Sequence, residues 1–118
     1  MTTVVNVRAR YIRPQYNNLK EWTDDPNNVY IGRRGIVFID GKRFPESDSI
    51  WANPFKVGKD GDIDQVLTKY HSYIVDKLEY GEIPTSELQF LKGKNLGCWC
   101  APNRCHGDIV KFIVDLCV

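Results

Sequence analysis

Residues 95–108 read Asn-Leu-Gly-Cys-Trp-Cys-Ala-Pro-Asn-Arg-Cys-His-Gly-Asp, and this run holds three of the four cysteines and one of the two histidines of the chain. Few local structures suit it. Leu96, Cys98 and Cys100 alternate with Gly97 and Trp99, which predicts a strand with both thiols on one face. Ala101, Pro102, Asn103 and Arg104 are turn material, because proline fixes its φ angle and asparagine tolerates tight turns. Beyond them Ile109, Phe112, Ile113, Leu116 and Cys117 recur at helical spacing, so a helix is predicted over 106–117. Cys105, His106 and Asp108 then lie at its N-terminus, where unpaired amides and the positive dipole end favour anions and thiolates.

The rest of the chain supplies elements to pack against this unit. Val5, Val7, Ala9 and Tyr11 alternate with polar residues, predicting a first strand over 3–10, and Val29, Tyr30 and Ile31 have strong strand propensity. Asp40-Gly41 between two apolar runs predicts a hairpin. Asp62 as N-cap, Gln65 three positions on, and the stripe Ile63, Val66, Leu67, Tyr70, Tyr73, Ile74 and Leu78 predict a long helix ending at Gly81. A short helix is expected over 85–91. Residues 14–28 read as an ordered surface loop pinned by Leu19 and Trp22, with Trp22 as a stacking platform the less favoured alternative. The expectation is one α/β domain over 1–118, with a small mixed sheet of four to five strands including the hairpin, two main helices and a short one.

Composition narrows the functional classes. At 118 residues and 42% hydrophobic content the chain can bury a modest core. Its net charge of +1 argues against a strongly basic nucleic-acid surface. DNA binding would need a local patch built from Arg8, Arg10, Arg13, Arg33 and Arg34. No apolar run is long enough to span a membrane and no signal-peptide pattern opens the chain, so a cytoplasmic protein with no membrane partner is expected. Two positions apart on a strand, Cys98 and Cys100 would sit at the limit of disulfide reach, and free thiols are the expectation.

Several motifs together resemble an uncharacterised family of small domains from bacteria, phages and large DNA viruses. They are Tyr30-Ile31-Gly32-Arg33, Asn53-Pro54-Phe55, Gly58-Lys59-Asp60-Gly61, Leu96-Gly97-Cys98-Trp99-Cys100-Ala101-Pro102 and Cys105-His106-Gly107-Asp108. The resemblance covers residues 29–118 and implies a domain of unknown function. It also implies a host-cytoplasmic or virion setting if the chain is viral. Residues 34–50, which include the hairpin, stand as an insertion relative to the usual pattern, and Ala52 precedes Asn53 where the family commonly has glycine.

Three readings of the cysteine-rich run stay open. In the favoured one a pocket binds an anionic, nucleotide-like small molecule through Arg33, Asn53, Lys56 and Trp99. Cys100 or Cys105 would be a nucleophile beside the base His106, with Asp108 orienting the imidazole, for hydrolase or transferase chemistry without a cofactor. In the second, Cys98, Cys100, Cys105 and His106 hold zinc, although a Cys-x-Cys pair in a regular strand lacks the usual knuckle. In the third the residues are structural, and the chain is a non-enzymatic virion or host-interaction module, with the hairpin insertion and the terminal Leu116, Cys117 and Val118 offering a homodimer surface.

Overall fold

The computed structural model describes residues 2–101 and 103–118. Three strands, β1 (Thr3–Asn6), β2 (Asn28–Tyr30) and β5 (Asn95–Cys98), form a parallel sheet in the order β1-β5-β2. Leu96 registers against Val4 on one side and Val29 on the other. The central strand is buried on both faces, which is why Leu96-Gly97-Cys98 carries no charge.

One face presents Val4, Val29, Ile31, Leu96 and Cys98 to helices α3 (Ile63–Glu79) and α5 (His106–Cys117), whose Tyr70, Ile74, Val110 and Val114 complete the larger core. A capping box between Asp62 and Gln65 starts α3, and Gly81 at φ 75° follows its C-cap Tyr80, as its sequence predicts. Helix α4 (Thr85–Phe90) drops Leu88 into the same core and leads toward β5.

The opposite face is thinner and departs more from expectation. Residues 14–28 contain a helix, α2 (Leu19–Asp24), capped by the Asn18 side chain accepting from the Glu21 amide. Its Leu19 and Trp22 pack with Val7 and Ile12. Trp22 is 3% exposed, so it has no face left for stacking on a ligand. Its ring lies directly over Gly97, where a Cβ would come within 2.5 Å of it.

The first strand stops at Asn6 instead of continuing to residue 10. There the Asn6 side chain accepts from the Arg8 amide and donates to the carbonyl oxygens of Trp99 and Ala101, turning the chain off the sheet. The single turn α1 (Ala9–Ile12) follows.

The fold is α/β, and among the described residues its five strands are divided over two sheets. Strands β3 (Val37–Ile39) and β4 (Lys42–Phe44) pair antiparallel only with each other, through a turn with Asp40 at φ 53° and Gly41 at φ 78°. The hairpin's Val37 and Phe44 lean on the thinner cluster, while Phe38 points to solvent. No helix among the described residues is long and apolar enough to cross a membrane.

Candidate functional site

Because all three strands of the main sheet are parallel, their carboxyl ends open on one edge, and the N-terminus of α5 sits at that edge. Ligand crevices of open α/β sheets form at such edges. A cleft of about 460 Å³ lies there, walled by Phe55, Ile63, Val66 and Leu67 and floored by Cys98 and Cys105. Its charged lining residues are Arg33, Lys56 and Arg104; among the described residues no carboxylate lines it.

The floor is a pair of thiols. Strand β5 ends at Cys98, so the chain bends before Cys100 and the two do not share a strand face as their alternation predicts. Cys98 instead meets Cys105, the N-cap of α5, with Sγ to Sγ at 3.2 Å. Cys105 donates to Cys98 and its sulfur accepts from the Gly107 amide at 3.3 Å. The hydrogen bond from Cys105, aided by the amides of Cys100 and Ala101, holds the Cys98 thiol below its ordinary range despite burial. The same shared proton, with desolvation, pushes Cys105 up, so Cys98 is the member that ionises first. Cys100 is exposed at the rim, its thiol raised by desolvation and by the neighbouring Cys98 charge.

His106 is fixed through its ring. Nε2 lies 2.7 Å from the Ile31 carbonyl oxygen, which only accepts, so Nε2 carries the proton and Nδ1 is the ring's acceptor. Burial lowers its pKa below the ordinary histidine value, and the imidazole is neutral at neutral pH. The ring also packs edge-on against Tyr70, 5.1 Å between centroids.

Arg33 fastens the cleft wall. Its Nε donates to the Asn53 carbonyl and its Nη2 to the Phe55 carbonyl, both at 2.9 Å, so two of its five N–H groups hold the Asn-Pro-Phe segment. Asn53 in turn accepts from the Phe55 amide through Oδ1, closing a local turn. Tyr30 links this wall to the cysteine-rich loop, donating to the Arg33 carbonyl and accepting from the Trp99 indole N–H. The Tyr30 ring folds back over Gly32 so closely that no side chain fits there.

The cleft thus brings together Arg33, Asn53, Lys56, Trp99, Cys100, Cys105 and His106, residues separated by up to 73 positions in the chain. Asp108 lies elsewhere. Its carboxylate accepts from the Cys105 amide to close the capping box of α5, and it lines a neighbouring groove with Asp64 and His71. Among the described residues no three His, Cys, Asp or Glu side chains are grouped as metal ligands. Sequence reasoning did not single out Cys98 as reactive, Tyr30 as a strut or Arg104 as a rim cation. Only the Tyr-x-Gly-Arg spacing hinted at the second of these.

A small parallel α/β domain with a basic, thiol-floored cleft at its carboxyl edge is the class that fold and site define. The chain belongs to the family described as Domain of unknown function (DUF4326), whose model matches residues 15–116. It is similar to the "Uncharacterized 12.4 kDa protein in nrdA-td intergenic region" of Enterobacteria phage T4, 37% identical over 68 residues. That match takes in 57% of this chain and 61% of the relative, so the chain spans about three fifths of the relative's length. No solved structure matches it.

Proposed function

We propose that the cleft binds an anionic, nucleotide-like small molecule. The observation that carries this reading is the lining itself: three cations and no acidic partner inside a mostly apolar crevice. An apolar wall of Phe55, Val66 and Leu67 suits a flat base, and the cations of the lining suit a phosphate, which Arg binds through paired N–H groups. Arg104 also pairs with Asp64 outside the cleft, an exposed contact that a phosphate would displace at little cost.

Isothermal titration against nucleoside monophosphates, diphosphates and nucleotide sugars, beside the parent nucleosides, tests it. A phosphorylated compound should bind while its nucleoside does not, and Lys56→Ala and Arg104→Ala should each weaken binding roughly ten-fold. Equal affinity for the bare nucleoside, or no binding by any compound at millimolar concentration, overturns the reading.

A second reading concerns self-association. Phe112 and Leu116 stand 61% and 71% exposed one turn apart on the outer face of α5. A homodimer through that face would become a monomer on Leu116→Glu in sedimentation equilibrium, and a wild-type monomer at high concentration sinks the idea.

A further inference from the structure

We propose that Cys98 and Cys105 form a redox site that hydroperoxides oxidise to an intramolecular disulfide, with Cys98 as the attacking sulfur and Cys105 as the resolving one. This stands whatever anion the cleft holds.

Four observations support it. The sulfurs lie 3.2 Å apart, so forming a bond of about 2.05 Å needs a shift of roughly an ångström, not a refolding. The Cys105 thiol donates to the Cys98 sulfur, which stabilises negative charge on Cys98 and leaves the resolving thiol aimed at it, while the Gly107 amide fixes the Cys105 sulfur at the start of α5. Both cysteines line the cleft, which gives a small molecule a route to the pair. Finally, Cys98 is 1% and Cys105 3% exposed, and that decides the oxidant: a two-oxygen peroxide fits against such a sulfur, whereas a bulky organic disulfide cannot reach it in line.

The chemistry balances without another reactant. The Cys98 thiolate attacks one peroxide oxygen; the O–O bond breaks, an S–O bond forms, and the departing hydroxide takes the thiol's proton to become water. Cys98 is now a sulfenic acid. The Cys105 sulfur then attacks Cys98; the S–S bond forms, the S–O bond breaks, and the hydroxyl leaves with the Cys105 proton as a second water. The sulfur pair loses two electrons and the peroxide gains them. The new bond ties together the two ends of the loop that carries Trp99, Cys100 and Arg104, so oxidation alters the cleft rim.

Reduced full-length protein, freed of reductant, is treated with one to ten equivalents of hydrogen peroxide, alkylated under denaturing conditions, and peptide-mapped. Two of the four cysteines should lose reactivity, and the map should contain a peptide cross-linked through Cys98 and Cys105. In Cys105→Ala a sulfenic acid at Cys98 should be captured by a dione probe present as the chain is denatured, while Cys117→Ser should behave as wild type. If the Cys105 variant does not fold, the wild-type map alone decides. Oxidation confined to Cys100 or Cys117 with Cys98 and Cys105 still alkylated overturns the proposal. A Cys98–Cys100 cross-link overturns it too, as does stoichiometric zinc in the untreated protein, which would make the pair metal ligands.

Discussion

The two faces of the parallel sheet are built on different principles. The face toward α3 and α5 belongs to one buried cluster of thirteen residues, Trp51 and Tyr70 among them, so its stability is spread widely and one end can open into a cleft. The opposite face has a cluster of four, Val7, Ile12, Leu19 and Trp22, and its cover depends on one indole seated on a glycine. Burying apolar area contributes about 25 cal/mol per Å², so one tryptophan does there what several aliphatics share across the sheet. The cleft sits on the redundant side.

The sharpest way to break this contrast is at the indole. Trp22→Ala should cost about 4 kcal/mol in denaturant unfolding, because it removes the largest of the four buried side chains of that cluster. Gly97→Ala should cost about 3 kcal/mol, since the added methyl meets the Trp22 ring and Val7. The two losses should fall short of additive by at least about 1 kcal/mol, and strict additivity would refute the seat. On the redundant face a large and fully buried side chain should matter less: Tyr70→Phe keeps the ring and loses one hydrogen bond to the Trp51 carbonyl, costing about 1.5 kcal/mol.

The smallest effect belongs to His106 and depends on pH. Burial lowers its folded pKa below that of the unfolded chain, so below about pH 6.5 the unfolded state binds more protons. Its contribution is therefore complete above that pH and is lost as pH falls, by at most about 1.4 kcal/mol per unit. His106→Gln should flatten the difference between unfolding at pH 7.5 and at 5.5; an unchanged slope would show that the ring is not held neutral.

Local chemistry made much of this architecture readable in advance. The Asp62 and Gln65 box, the Asp40-Gly41 turn and the periodicity of α3 and α5 are each written within a few neighbouring residues. Helix α2 was not readable, because six residues with apolar positions only at Leu19 and Trp22 carry too short a period, and packing on Gly97 creates the rest. The end of β1 depends on Asn6 reaching residues 99 and 101, a contact between distant parts of the chain. In the cleft the motifs marked the right neighbourhood. They could not reveal that Arg33 spends part of its guanidinium on backbone carbonyls, or that Cys105 meets Cys98 while His106 meets Ile31. The partners of Cys105 and His106 are fixed by the packing of α5 on the sheet.

The strand order has a consequence for biosynthesis. Strands β1 and β2 never touch each other; both wait for β5, which is made last. At about 5–20 residues per second, a growing chain carries two unpaired edges for several seconds, a period in which chaperone contact matters. The sheet then closes in one event as β5 slides between them. That event also delivers Cys98, and Cys105 follows at the start of α5, so a ribosome-bound fragment ending before β5 has neither the parallel sheet nor the floor of the cleft.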